Sequence, residues 1–280
     1  MTVRPFADVL NDISMMIDFE SLCRDAVALI KETGTYIKTE RARNHLGIET
    51  KGKNDFVTHV DKASEERLVT GLQKLLPESG FIAEEATSTK KGDHYNWIID
   101  PIDGTTNFIH GLTPYAISVA LMAGNEIVIG VVYEMGLDEM FYACKGGKAY
   151  LNGHPISVSQ RPTVSDSLIA TGFPYSQYDR MDDFMKSLDG FMRKSHGLRR
   201  LGSAATDLAY VACGRFEAFY EYDLKPWDVA AGAFIVQQAG GRNADFSGGN
   251  NYLFGREIIS TNALVFDEFL ADVKLYMDKK

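Results

Sequence analysis

The segment Trp97-Ile98-Ile99-Asp100-Pro101-Ile102-Asp103-Gly104-Thr105-Thr106-Asn107-Phe108 decides how this chain is read. An apolar run ends in Asp100, as a buried strand does when it delivers an acid at its end. Pro101 can extend neither a ladder nor a helix. Asp103 follows three residues on, and Gly104 permits a tight turn. Thr105, Thr106 and Asn107 then offer hydroxyls and backbone N–H groups where a helix can begin. Two carboxylates beside exposed donors suit a cation that holds an anion, most simply Mg²⁺ with phosphate. Asp100 alone would pass as an ordinary turn residue. A Pro, a Gly and two acids packed directly behind an apolar strand are poor choices for mere connection.

Two further segments end or begin in acids. Ile82-Ala83-Glu84-Glu85 closes another short apolar run, and by itself fits a solvated strand end. Trp227-Asp228-Val229-Ala230-Ala231-Gly232 opens an apolar helix with an acid, a placement that N-capping alone would favour. Together with the central segment they supply four carboxylates, Glu84, Asp100, Asp103 and Asp228, with no cysteine or histidine among them. Oxygen-only donors favour Mg²⁺ or Mn²⁺ over zinc. If the four converge, a cation is nearly obligatory, because clustered carboxylates otherwise take up protons. Asp61 opens a helix after Asn54–Val60, where an acid interacting with the helix dipole is the simpler account.

Outward from these segments the chain falls into two halves. Helices are expected over Asp18–Glu40 and Asp61–Leu76, the latter with Val60, Ser64, Leu68, Leu72 and Leu76 at four-residue spacing and Pro77 as its stop. Short strands follow at Gly80–Ala83, Trp97–Ile99, Tyr115–Ala123, Glu126–Glu134, Met140–Ala143 and Ala149–Leu151. Gly124-Asn125 and Asn152-Gly153 mark turns between strands. The polar stretch Thr87–His94 reads as a mobile loop. Beyond Gln160–Asp166 the rhythm becomes α/β: strands at Ser167–Thr171, Gly197–Leu201, Phe216–Tyr222 and Glu257–Thr261, helices at Asp182–Lys194, Ser203–Cys213, Asp228–Gln238 and Phe266–Met277. This predicts an N-terminal α+β half over residues 1–155 and a C-terminal α/β half over 156–280.

Composition narrows the class. The chain has 280 residues, 45% of them hydrophobic and 24% charged, which excludes a disordered, collagen-like or coiled-coil protein. Its 38 acids against 29 Lys and Arg give a net charge of −9, which disfavours direct nucleic-acid binding. Cys23, Cys144 and Cys213 form no metal-ligand spacing or disulfide framework, and fit a reducing cytoplasm. No apolar run reaches the ~18 residues of a membrane span. Asp8 and Asp12 interrupt any signal-peptide core. Met15 and Met16 directly precede the first helical pattern, which leaves the residues before them open as an extension.

Read together, four segments resemble the inositol monophosphatase family: Asp55-x-Val57-Thr58-x-x-Asp61, Gly80–Glu85, the Trp97–Phe108 run, and Trp227-Asp228-x-Ala230-Ala231-Gly232 with Ala239-Gly240-Gly241. The family's usual Gly before the Glu pair is Ala83 here. Arg199–Glu221, with Gly202-Ser203-Ala204-Ala205, looks like the bacterial branch. The resemblance covers about residues 16 to 275. It implies an alternating five-layer αβαβα sandwich of the sugar-phosphatase type shared with fructose-1,6-bisphosphatases. It also implies Mg²⁺-dependent phosphomonoester hydrolysis by an activated water, with two to three ions per site and lithium inhibition.

By the same resemblance, Glu84, Asp100 and the Ile102 carbonyl hold one ion. Asp100, Asp103 and Asp228 hold a second, and Glu84 touches a third. Glu84 and Thr105 orient the water, with Asp61 behind Thr105. Gly104 and Thr105 cradle the phosphate. Asp103, Ala204, Glu221 and Asp228 face the alcohol, and Lys51 lies near the metal-site loop. A homodimer is implied, and a protein partner is open, since some bacterial relatives contact transcription machinery. Substrates within reach are inositol, histidinol and sugar phosphates. A haloacid-dehalogenase-type Asp-x-Asp-Gly-Thr motif fails because the acids stand three apart. No Cys carries the Arg six residues later that thiol phosphatases need. His59, His110 and His154 are expected on the surface.

Overall fold

The computed structural model describes residues 17–43, 47–52, 55–175 and 177–277, with the side chains of 50–56 left out. The expectations for Met15 and Met16, the preceding extension, and the side chains of Lys51 and Asp55 lie outside the described residues.

Helix α1 (Phe19–Ala42) starts where Asp18 accepts hydrogen bonds from the N–H groups of Glu20 and Ser21. Leu22, Ala26, Ile30 and Ile37 form its buried stripe. Helix α2 (His59–Leu75) begins with a capping box. Thr58 accepts from the N–H of Val60 and Asp61, and the Asp61 carboxylate in return accepts from the Thr58 N–H. Its buried Val60, Ser64, Leu68 and Leu72 recur every fourth residue, as the spacing predicts. Both helices pack on one face of a seven-stranded sheet.

That sheet runs β3-β4-β5-β6-β7-β8-β9 in spatial order. Its strands are β3 (Gly80–Ala83), β4 (Tyr95–Asp103), β5 (Ala116–Ala123), β6 (Glu126–Glu134), β7 (Glu139–Cys144), β8 (Ala149–Leu151) and β9 (His154–Pro155). Only β3 and β4 are parallel; the remaining pairs are antiparallel. Strands β1 (Glu49–Gly52) and β2 (Asp55–Val57) pair separately. A second sheet orders β11-β10-β12-β14-β13, from β10 (Leu168–Thr171), β11 (Gly197–Arg199), β12 (Ala218–Tyr222), β13 (Arg242–Ala244) and β14 (Glu257–Thr261). It is mixed: β11, β10 and β12 are parallel, while β14 runs against both β12 and β13.

Side-chain alternation along the strands sorts the core into three layers. Trp97 and Ile99 join the cluster under α1 and α2, whereas Ile98 between them faces the other way. In the second sheet Phe219 faces inward, and Ala218 and Tyr220 outward. Two helices fill the space between the sheets: α5 (Ala204–Ala212) and α6 (Pro226–Gln238). They are buried nearly all round and rich in Ala, so close approach to both sheets takes the place of an amphipathic pattern. Helices α4 (Met181–Lys194) and α7 (Phe266–Met277) cover the far face, stacking Phe191 on Phe269. With α3 (Thr105–His110) after β4, the architecture is the αβαβα sandwich that the resemblance implies.

Two expectations shift, and one strand was not foreseen. Strand β4 does not stop at Ile99 but runs through Pro101 to Asp103. Strand β13 has too short and polar a sequence, Arg-Asn-Ala, to signal itself. The Thr87–His94 segment is tethered: buried Glu65 accepts bonds from the Glu85 N–H, the Thr87 N–H and the Thr87 hydroxyl, and Phe81 N–H donates to the Lys90 carbonyl. His59, His110 and His154 are exposed, as expected. Among the described residues no helix is long and apolar enough to cross a membrane.

Candidate active site

The irregularity in β4 is what builds the site. Asp100 pairs with Ser118 of β5 and Asp103 with Ala116, so three steps on β4 oppose two on β5. In a regular strand, residues three apart face opposite sides. The extra residue at Pro101-Ile102 is a bulge that resets the alternation and turns both acids toward one place. The Ile102 N–H donates to Asp100 Oδ1 at 2.9 Å, holding the bulge from within. Asp100 shares its face with Ile98, toward the central helix layer.

Parallel pairing brings in Glu84. Ala83 sits opposite Ile99, and Glu84 N–H donates to the Ile99 carbonyl at 3.2 Å, so Glu84 emerges beside Asp100 and is hydrogen-bonded to it. Asp228 arrives from the second half, in the first turn of α6 behind Pro226. It is not the N-cap; its carboxylate accepts the Lys225 N–H at 2.7 Å. Ser118 donates to the Trp227 carbonyl at 2.9 Å, fixing this helix start against β5. One carboxylate oxygen each from Asp100, Asp103 and Asp228 lies within 4.8 Å of the others. Asp103 is aimed by the first turn of α5, accepting from Ser203 Oγ at 2.6 Å and Ala205 N at 2.7 Å.

The crowding shows in the acidities. Burial, then the charges of Glu84, Asp103 and Asp228, push Asp100 well above the usual carboxylate range. Burial lifts Asp103 to about 6, against the bonds from Ser203, Ala205 and Ala204 and the charge of Arg200. Burial and Asp103 lift Asp228 to about 8. Without a cation the cluster favours proton uptake, and Asp228 would be largely protonated at neutral pH. An all-oxygen donor set at this spacing fits a hard divalent ion, which would replace those protons.

Beside the carboxylates the chain turns at Gly104, whose φ of +89° favours glycine; a Cβ there would stand 3.0 Å from the Gly202 carbonyl oxygen. Thr105 then opens α3. Its hydroxyl lies 2.9 Å from the Ile102 carbonyl and 3.3 Å from Asp61 Oδ1. The other Asp61 oxygen is taken by the Thr58 N–H, at 2.8 Å, and the Thr58 hydroxyl. Burial pushes the Asp61 carboxyl above its usual range, and these bonds oppose the rise.

All of this opens into a pocket of about 570 Å³. Glu84, Asp100, Ile102, Asp103, Gly104, Thr105, Ala204, Glu221 and Asp228 line it, which is every described residue assigned to the site except Asp61. Asp61 stands one hydrogen bond behind. Glu221 shares the inward face of β12 with Phe219, and its carboxylate lies directly over Gly172: a Cβ at 172 would meet all three carboxyl atoms at 2.0 Å. Burial, then Asp228, pushes Glu221 well above its usual range. The same wall holds residues the sequence reading passed over, Tyr175, Arg200 and Asp207. Asp207 follows the N-cap Ser203 by one helical turn, so it shares the face that holds Asp103; that spacing was the available signal.

The chain is similar to known proteins over nearly its whole length. The model of the inositol monophosphatase family matches residues 18–275. The chain is 38% identical over 237 residues to Nus factor SuhB of Pseudomonas aeruginosa, covering 83% of this chain and 88% of that one. It is 37% identical over 231 residues to inositol-1-monophosphatase of Mesorhizobium japonicum, covering 82% and 87%. The crystal structure of extragenic suppressor protein suhB from Bartonella henselae superposes with a TM-score of 0.87 at 35% identity, over 91% of this chain and 98% of that one. With the match spanning both sheets and every segment of the pocket, the chain belongs to the inositol monophosphatase family.

Proposed function

We propose that this protein is a Mg²⁺-dependent phosphomonoesterase that hydrolyses myo-inositol monophosphate, or a related polyol or sugar phosphate, to the free alcohol and phosphate. The convergence of Asp100, Asp103 and Asp228 from two halves of the chain carries this reading. Glu84, Asp100 and the Ile102 carbonyl would hold one ion, Asp100, Asp103 and Asp228 another, with Glu84 reaching a third; Mn²⁺ would serve as a substitute. When bound, Mg²⁺ supplies positive charge toward the phosphate and acidifies water.

The chain's own groups set the geometry. Thr58 occupies one oxygen of Asp61, which leaves the other to accept the Thr105 hydroxyl proton. A hydroxyl has one proton, and the Ile102 carbonyl competes for it at 2.9 Å. With that carbonyl engaged as a ligand, Asp61 is the remaining acceptor. Thr105 Oγ then presents lone pairs to the attacking water, which Glu84 orients from the other side. The N–H groups of Gly104 and Thr105 point donors at the phosphate. Asp103, Ala204, Glu221 and Asp228 bound the space for the alcohol. No residue need carry a covalent phosphate.

Phosphate release from myo-inositol 1-phosphate, histidinol phosphate and fructose 1,6-bisphosphate, with Mg²⁺ and with excess EDTA, tests the reading. Turnover should require Mg²⁺, favour the inositol ester and fall with added lithium. Hydrolysis unchanged in excess EDTA would contradict it. A homodimer belongs to the same reading, and light scattering in solution checks it.

A second reading, a protein-partner role on the same scaffold, is favoured by the relatives named Nus factor SuhB. An Asp100→Asn protein that loses turnover yet retains its cellular role would support this second reading.

A further inference from the structure

The alcohol side of the pocket carries polar atoms that the phosphatase reading leaves unused. Asp207 is 1% exposed, and its Oδ1 is buried with no hydrogen-bond partner. Arg200 Nε is likewise buried and unpartnered. Both residues line the same pocket, beside Glu221. A buried polar atom left unpaired costs free energy unless something supplies the missing bond.

The surroundings hold these two groups in place. Arg200 donates through Nη2 to the Tyr175 hydroxyl at 2.8 Å, and its guanidinium lies 5.1 Å from the Phe173 ring centroid. Asp207 is fixed on the first turns of α5, its N–H bonded to the Ser203 carbonyl at 2.9 Å. Ser203 in turn holds Asp103. Asp207 is therefore tied to the same helix turn that aims a proposed metal ligand, and Arg200 is held by Tyr175 and Phe173 in the same pocket wall.

A donor with nothing to give to and an acceptor with nothing to take from define their ligand by chemistry. An ammonium offers donors only, and leaves Arg200 unpaired. A second phosphate offers acceptors only, and leaves the Asp207 oxygen unpaired. A hydroxyl both donates and accepts. We infer that Arg200 and Asp207 are specificity-determining residues that bind ring hydroxyls of a neutral polyol monophosphate and disfavour aminoalcohol phosphates and bisphosphates. This inference rests on the phosphatase reading above.

The test compares kcat/KM of the full chain with Mg²⁺ on myo-inositol 1-phosphate and on cyclohexyl phosphate, which keeps the ring and lacks the hydroxyls. The wild type should prefer the inositol ester. Asp207→Asn and Arg200→Lys should each lower kcat/KM for it at least about tenfold, with cyclohexyl phosphate changed less than about threefold and the melting temperature retained. Asp207→Asn should also raise fructose 1,6-bisphosphate turnover relative to inositol phosphate. Equal losses on both ring esters would show a merely structural role and overturn the inference. So would a wild type indifferent to the hydroxyls, while leaving the phosphatase reading intact. A wild type inactive on every ester would overturn both.

Discussion

The two ends of the pocket are built in opposite ways. At the metal end, Asp100, Ile102, Asp103, Gly104 and Thr105 come from one stretch whose directions one bulge and one left-handed glycine set, and Glu84 and Asp228 join them from the end of β3 and from α6. At the alcohol end, Gly172, Arg200, Asp207 and Glu221 come from a loop after β10, the approach to α5, α5 itself and β12. The difference follows from the demands placed on each. Cation ligands must meet within a few ångströms, and only particular backbone geometry, hence particular residue types in order, achieves that. Hydroxyl recognition accepts any donor or acceptor at the right place in the wall, so its residues scatter.

Substitutions should separate the two ends by size of effect. Asp103→Asn and Asp228→Asn remove a carboxylate from the cluster, so turnover of every ester should fall by at least about 10³-fold, with the circular dichroism spectrum unchanged. Near-normal rates in either would take that residue out of the metal site. Asp61→Asn acts one bond further back, through Thr105. An amide oxygen still accepts but carries no charge, and a loss of about 10- to 100-fold in kcat with little change in KM is expected. A rise in KM alone would mean that Asp61 does not position the Thr105 hydroxyl. Selective losses at Arg200 and Asp207 should be smaller again and confined to polyol substrates.

The metal end should also respond to pH, because its acids are shifted upward when no cation is bound. Raised carboxylates bind more protons folded than unfolded. The stability they contribute is therefore present at low pH and lost as pH rises through the folded values, about 6 for Asp103 and about 8 for Asp228. Metal-free protein should melt several degrees higher at pH 5.5 than at pH 8.5, and added Mg²⁺ should raise the melting temperature more at pH 8.5. A metal-free melting temperature that rises steadily across this range would contradict the clustering of the acids.

The same contrast explains what could be read from the chain. Single helices and strands were legible because Val60 to Leu72 repeat every fourth residue and Trp97 to Ile99 end in an acid; the layered sandwich came only from the family resemblance. Asp100 and Asp103 were legible because Pro101 and Gly104 have no purpose in a plain connection; Glu84 and Asp228 were weak signals until the family resemblance joined them. The bulge itself was not, since nothing local says that β4 resumes after Pro101; only pairing with β5 does. Strand β13 escaped notice because its place in the sheet comes from β14, not from its own residues. Arg200 and Asp207 escaped because their meaning lies in what they fail to bond to, and that depends on the folded surroundings. The net charge of −9 pointed away from anions, yet four of those acids converge where a cation would reverse the local sign.

Calorimetric titration of the metal-free protein with Mg²⁺ at pH 7.5, in parallel with Asp228→Asn, tests the central claim most directly. The account predicts saturable binding accompanied by proton release, as the cation displaces protons from the clustered carboxylates, and a loss of both in the variant. Identical isotherms for the two proteins, or no binding at millimolar Mg²⁺, would contradict it.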